Sequence, residues 1–174
     1  DVRSATKEQV ESLGGKFIMV EEEDGSDAET SEGYAKEMSE DYKNKQAKLI
    51  AETIAKQDIV ICTALIPGKT APTLISEDMV ESMASGSVVV DLAVEAGGNC
   101  PLSKLGQVIE HKGVKILGYA NVPGRVAKDA SALYAKNIFN FLSLIVNKEK
   151  NEINFNWEDE IVNAVVLTED GSIR

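Results

Sequence analysis

The chain has 174 residues, 43% of them hydrophobic and 27% charged, and carries a net charge of −11. That composition builds a packed core rather than a disordered chain, and the acidic excess argues against a nucleic-acid partner held through its phosphates. One ordinary domain fits the length, no run approaches the ~18 apolar residues of a membrane span, and two cysteines, Cys62 and Cys100, are too few for a disulfide framework, so a reducing compartment is expected. No cationic stretch leads into an apolar one as in a secretory signal. The chain opens on Asp1 rather than Met.

Thr6 and Gln9 have capping-box spacing, Val10 and Leu13 begin an apolar face, and Gly14-Gly15 stops the helix they predict. Lys16 to Val20 reads as a short strand. The acidic stretch from Glu21 to about Asp41 keeps neither helical nor strand periodicity and reads as a mobile surface loop. Ala47, Ile50, Ala51 and Ile54 then fall on one helical stripe within about 41–56. Asp58 to Ala64 is a nearly continuous apolar run, which predicts a parallel strand buried on both faces. Pro67-Gly68 breaks it, and Ser76 caps a short helix with Met79, Val80 and Met83 inward. Ser87 to Val94 and Val114 to Tyr119 are further buried strands, with a short strand at 107–110 and a turn through Lys112-Gly113 between them.

Strand–helix–strand alternation with such strands predicts an α/β, doubly wound, Rossmann-like parallel sheet. A long helix over about 127–146 is apolar on more than one face and is expected to be wedged between two packed bodies. In the tail, 153–155 and 161–167 alternate like strands, and Glu169-Asp170-Gly171 signals a hairpin. The expected division is 1–126 as the main subdomain and 127–174 as a linking helix with a segment of a second one.

Three strand ends carry small, turn-forming sequences: Thr63 to Gly68, Glu95 to Gly98 and Asn121 to Gly124. In an open α/β sheet ligands bind beyond the carboxyl ends of the strands, so these loops are expected to converge on one crevice; Gly and Pro also simply terminate strands. A carboxylate at the end of a second strand, as Asp1 would be, can accept hydrogen bonds from ribose hydroxyls, with a Gly-x-Gly-x-x-Gly turn expected ~20 residues upstream of it. Taken alone, a terminal Asp is more often a solvated residue. His111, without Cys or carboxylate at ligand spacing, reads as solvent-exposed. Glu21 to Asp24 reads as a solvated charge run, since its acids lack the offsets of a calcium loop. No metal site or catalytic side chain is expected.

Four segments together resemble a known family: Glu32-Gly33-Tyr34-Ala35-Lys36-Glu37-Met38, Thr63 to Gly68, Asp91 to Cys100, and Asn121-Val122-Pro123. They are similar to the NAD(H)-binding domain, domain I, of the alpha subunit of proton-translocating NAD(P) transhydrogenase, and the likeness spans essentially the whole chain. The related alanine dehydrogenases share the strand-end loops, whereas the Gly-Tyr-Ala-Lys-Glu-Met stretch looks specific to transhydrogenases.

The resemblance implies that the domain binds NAD(H) and passes a hydride directly to NADP(H) on a partner domain, coupled to proton movement through a membrane domain. Asp1 then corresponds to the ribose carboxylate, with Val2 and Arg3 beside the adenosine. Gly33 and Tyr34 belong to a loop that closes over the nucleotide, and Thr63, Ala64 and Leu65 line it. Glu95, Asn121 and Pro123 stand near the nicotinamide end. Where the family often has two glycines before the tyrosine, this chain has Glu32-Gly33, which implies a stiffer loop.

The resemblance also implies a homodimer and a soluble, peripheral position on the cytoplasmic or matrix face of a membrane. By the same comparison the first strand, its Gly-rich turn and part of the other subdomain precede Asp1, so the chain is expected to be the C-terminal part of a larger domain. Two further readings stay open: an alanine-dehydrogenase-like enzyme reducing pyruvate with ammonia, and a non-catalytic nucleotide-fold interaction module.

Overall fold

The structure, a computed structural model, describes residues 5–20, 39–147 and 149–173. The chain divides into two units, at 120/121. The first holds α1 (Ala5–Ser12), α2 (Glu40–Ile54), β1 (Ile59–Cys62), α3 (Glu77–Glu81), β2 (Val88–Asp91), a 3₁₀ turn (Val94–Ala96), β3 (Gln107–His111) and β4 (Val114–Gly118).

Ile-Val-Ile and Val-Val-Val are uncharged, β-branched runs that suit a half- or fully buried pleated surface, and they form neighbouring strands. The sheet order is β1-β2-β4-β3. β1, β2 and β4 run parallel, with Ile59 opposite Val88 and Val88 opposite Lys115. β3 pairs antiparallel with β4 at the edge, His111 opposite Val114. Lys112 and Gly113 both have positive φ (47° and 82°), the geometry of a two-residue hairpin turn whose twist matches the flanking strands.

One core backs this sheet. Ile54 from α2, Ile75, Val80 from α3, Met83, Val89, Val114 and Ile116 are all buried in one cluster. Val80, Val89 and Ile116 are wholly inaccessible, and each such side chain contributes roughly 1.5–3 kcal/mol by leaving water. Hydroxyl caps start both helices that cover the core: Ser39 Oγ accepts from Tyr42 N and Ser76 Oγ from Met79 N, each at 3.2 Å.

Three expectations in this unit need correction. Lys16 to Val20 forms no strand; a strand needs a hydrogen-bonding neighbour, and no described strand pairs with this run. Thr6 does not begin its helix, because α1 already includes Ala5; Gly14, at φ 79°, does stop it. β1 is buried on one face only, for Val60 and Cys62 pack inward while Ile59 and Ile61 are more than 60% exposed. No described element covers the side to which Ile59 and Ile61 point.

The second unit holds α4 (Val122–Arg125), α5 (Ala127–Ile145), β5 (Val146–Asn147) paired with β6 (Glu152–Ile153), α6 (Glu160–Val165), and the hairpin of β7 (Thr168–Glu169) with β8 (Ser172–Ile173). The hairpin turns on Asp170 and Gly171, both at positive φ, as its sequence predicts. α5 matches the expected helix. Ile145 is buried, whereas Leu133, Tyr134, Phe139 and Leu142 are exposed.

The strand expected over 161–167 is instead α6. Asp159 Oδ1 accepts from Ile161 N at 2.9 Å and Val162 N at 3.1 Å, so a helix cap wins over a weak alternation. Ile161, Val162, Val165 and Val166 also fit helical spacing, and Val162 is the buried member. The expected strand at 153–155 is reduced to Glu152–Ile153.

Candidate functional site

β2 ends on a charged residue in an otherwise apolar run, and that residue organises the sheet's carboxyl end. Asp91 is completely buried. Its Oδ1 accepts from Ala93 N at 3.0 Å, and its Oδ2 accepts from Asn99 N at 2.9 Å and Cys100 N at 3.1 Å. A buried carboxylate is tolerable only when its acceptor capacity is used in this way. The chain must turn sharply to bring Asn99 and Cys100 back, and Gly97 and Gly98 do so at φ 104° and 86°. A Cβ on Gly98 would stand 2.8 Å from Asp91 Oδ2.

Asn99, equally buried, joins this turn to the loop that follows β1. Its Oδ1 accepts from Ala64 N at 3.0 Å, while its Nδ2 donates to Ala64 O at 2.9 Å and Pro72 O at 2.7 Å. Its main-chain carbonyl accepts from Leu74 N and Ile75 N. One side chain and one carbonyl therefore hold both ends of the segment 64–75. Between those ends Pro67-Gly68 makes a tight turn, closed by Lys69 N donating to Ile66 O at 3.1 Å with Gly68 at φ 70°, the pattern of a type II turn. Ala71 N donates to Ala96 O at 2.8 Å and draws the turn against the 3₁₀ segment. The result is a shallow, open cleft lined by 65–70 and Ala96. Leu65 and Ile66 present exposed apolar surface at its lip.

Of the residues expected to form the site, Thr63, Ala64, Leu65 and Glu95 lie on these two loops. Thr63, Leu65 and Glu95 are exposed and Ala64 half-buried. Asn99 uses the N–H of Ala64 and one acceptor site of its carbonyl, so that residue has no free main-chain donor to offer a ligand. Asn121 and Pro123 belong to the second unit. Asn121, at φ 48°, caps α4, its Oδ1 accepting from Gly124 N at 3.1 Å, and Pro123 occupies the first turn. Asp1, Val2, Arg3, Gly33 and Tyr34 lie outside the described residues.

The site contains no activated thiol. Burial first, and the nearby Asp91 and Cys100 after it, push the Cys62 thiol up to about 12. Cys100 is likewise raised, mainly by burial. Both are protonated at neutral pH and are packing residues rather than nucleophiles.

Asp91 and Asn99 are readable as a motif, yet their role as clips is not; a lone acid closing a valine strand just before Gly-Gly-Asn is the available signal. His111 differs from its expected solvation. It is half-buried, with Nε2 2.9 Å from Glu81 Oε1 and 3.5 Å from Glu77 Oε1. Those carboxylates lie far away in sequence and reach it only through the fold. Among the described residues no helix is long and apolar enough to cross a membrane.

All 174 residues match the family model described as "Alanine dehydrogenase/PNT, C-terminal domain". The chain is 57% identical over 173 residues to the first component of the NAD(P) transhydrogenase alpha subunit of Rhodospirillum rubrum, covering 99% of this chain and 45% of that protein. A solved structure, the transhydrogenase from Sinorhizobium meliloti, superposes with a TM-score of 0.74 at 51% identity, over 100% of this chain and 44% of that one. Alanine dehydrogenase 1 of Staphylococcus aureus is more distant, 33% identical over 78% of this chain and 37% of its own length. The chain thus spans less than half the length of the relatives it matches. It belongs to the alanine dehydrogenase/PNT C-terminal domain family, with greater similarity to the transhydrogenase alpha subunits than to the alanine dehydrogenases.

Proposed function

We propose that this chain is the NAD(H)-binding component of an NAD(P) transhydrogenase. The observation that carries the reading is the cleft at the carboxyl ends of β1 and β2, walled by loops that Asn99 and Asp91 hold fixed, in a chain so similar to transhydrogenase alpha subunits. The residues fit a nicotinamide nucleotide. Leu65, Ile66 and the Ala64 methyl offer an apolar wall for a flat ring.

NADH supplies a hydride, two electrons with one proton, that moves to the nicotinamide of NADP⁺ held on a separate domain. Such a transfer needs no protein acid or base. It needs two rings placed closely and without intervening water. This chain's share is positioning. Thr63, Ala64 and Leu65 line the nucleotide, Asp1 accepts from its ribose, and Val2 and Arg3 flank the adenosine. Glu95, Asn121 and Pro123 stand near the nicotinamide end, and Gly33 and Tyr34 close over it as a lid.

The same reading supplies the partners: the N-terminal portion of the domain, an NADP(H)-binding domain, a membrane domain that couples the reaction to proton translocation, and a second copy in a homodimer. It places the domain as a peripheral body on the cytoplasmic or matrix face. Support comes from the Rhodospirillum rubrum relative, which is itself named as one component of an alpha subunit and is more than twice as long as the stretch matched.

NADH fluorescence titration of the full-length polypeptide tests the proposal, together with hydride transfer to NADP⁺ in the presence of the partner domain. No binding at millimolar NADH overturns it. Pyruvate-dependent oxidation of NADH would instead favour the alanine-dehydrogenase reading.

A further inference from the structure

The one histidine of the chain sits in a constellation that the nucleotide reading does not use. α3 projects Glu77 and Glu81, one helical turn apart, toward His111 at the end of β3. His111 Nε2 is 2.9 Å from Glu81 Oε1 and 3.5 Å from Glu77 Oε1, and the three prospective ligand atoms all lie within 4.8 Å of one another. Lys112 Nζ holds the other oxygen, Glu81 Oε2, at 2.6 Å.

We propose that Glu77, Glu81 and His111 form a binding site for a divalent transition-metal ion of the zinc type, which fastens α3 to the β3–β4 hairpin.

Geometry and donor chemistry carry the argument. Tetrahedral zinc with bonds of about 2.0–2.2 Å places neighbouring ligand atoms about 3.3–3.5 Å apart. The His111–Glu77 separation already matches that spacing, and the His111–Glu81 pair must open by only a few tenths of an ångström. One imidazole nitrogen with two carboxylate oxygens suits zinc, cobalt or manganese, whereas calcium and magnesium favour all-oxygen shells. The i, i+4 spacing lets one short helix supply two ligands on one face.

Lys112 is the opposing charge, and its position resolves the conflict. It bonds Oε2 and leaves Oε1 toward the histidine, so it orients the ligating carboxylate while lowering the attraction for a cation. Three protein ligands leave the fourth position to water, consistent with the partial exposure of all three side chains. Any proton on Nε2 leaves to solvent as the metal binds, so affinity must fall with acid.

His111 pairs with Val114, the first residue of β4, and β4 runs parallel to β2. The cluster therefore lies at the amino ends of the parallel strands, away from the cleft beyond Cys62 and Asp91. The proposed metal is a fastener and takes no part in hydride transfer. This inference does not depend on the nucleotide reading.

The test is titration of the full chain with ZnCl₂ alone in a non-chelating buffer, read by calorimetry and by the ¹⁵N resonances of the imidazole. The His111 signal is assigned through its correlations with the neighbouring backbone. The expected result is one site of micromolar affinity, a shift of Nε2 to a metal-bound value with Nδ1 fixed as the protonated nitrogen, and a higher melting temperature with zinc. His111→Ala and Glu81→Gln should each weaken binding at least tenfold, and Lys112→Gln should tighten it several-fold. An unmoved His111 resonance up to about 1 mM free zinc, the limit of weak association, overturns the proposal without requiring any variant to fold. So does undiminished binding by His111→Ala, which would assign the ion to other ligands.

Discussion

Asn99 grips Ala64 through both main-chain groups, accepting from its N–H at 3.0 Å and donating to its carbonyl at 2.9 Å. A single side-chain amide thereby mimics a strand partner at the point where β1 has ended. Because Pro72 O shares the same Nδ2, the loop between 64 and 72 is closed at its base before any ligand arrives. Preorganisation of this kind removes an ordering cost from binding.

Asn99→Ala should accordingly be expensive. It strands Ala64 N, Ala64 O and Pro72 O in a half-buried setting, whereas a fully buried unsatisfied group costs about 1–3 kcal/mol. Partial hydration offsets some of this, so the expected loss is about 2–4 kcal/mol, read by urea denaturation. Asn99→Asp should lose a comparable amount despite its near-identical shape, since it retains the acceptor and turns an oxygen toward two carbonyls. Retention of wild-type stability by both variants would show that the loop does not depend on this clip.

Gly98 and Gly86 form a paired experiment. Both have φ near +90°, but a Cβ at Gly98 meets Asp91 Oδ2, whereas at Gly86 it meets nothing within 4 Å. Gly86→Ala should cost the backbone penalty alone, about 1–2 kcal/mol. Gly98→Ala should cost that plus displacement of Asp91 from its three donors, about 2 kcal/mol more on the scale of a disrupted buried hydrogen-bond set. Equal destabilisation of the two would mean that the carboxylate moves aside freely.

Much of this architecture is visible in the sequence because its signals are local. A three-valine run, a serine immediately before a helix-forming stretch, and the pairs Lys112-Gly113 and Asp170-Gly171 each specify structure within about four residues. Sequence reasoning fails where the deciding partner is remote or where two local signals compete. Lys16 to Val20 has strand chemistry but no described strand beside it. Residues 161–167 have a weak period of two, which Asp159 overrules by capping a helix. His111 finds Glu81 thirty residues away, a distance at which no spacing rule operates. In the cleft, the loops can be named from sequence, whereas the Asn99 clip that shapes them needs three dimensions.

The Cys62 thiol gives stability a definable alkaline limb. Its folded pKa lies near 12, above the ordinary value of about 8.5, so the folded state holds the proton more tightly than the unfolded one. The contribution is complete below about 8.5 and is lost progressively as pH rises toward 12. Denaturant midpoints between pH 8 and 11 should fall with a slope that Cys62→Ala reduces. The same burial predicts negligible carboxymethylation of native Cys62 at pH 8 and rapid reaction after unfolding. An unaltered slope in the variant would indicate that other groups, Cys100 among them, set the alkaline limb.

The last prediction separates the cleft's role in binding from its role in folding. Leu65 is 52% exposed, so replacing it should leave stability within about 0.5 kcal/mol, as for surface positions generally. If a nicotinamide nucleotide lies against it, Leu65→Ala removes some of an apolar wall. The loss on binding should be about 1 kcal/mol, roughly fivefold in Kd. Leu65→Asp should do more, because it sets a carboxylate beside a ligand that already carries a negatively charged pyrophosphate, and its deficit should shrink as salt rises and screens that repulsion. NADH titrations at low and high ionic strength, with melting curves run in parallel, distinguish the outcomes. Weakened binding with unchanged melting assigns Leu65 to the nucleotide wall. Unchanged binding in both variants removes it, and forces the nucleotide to another region of the strand-end surface.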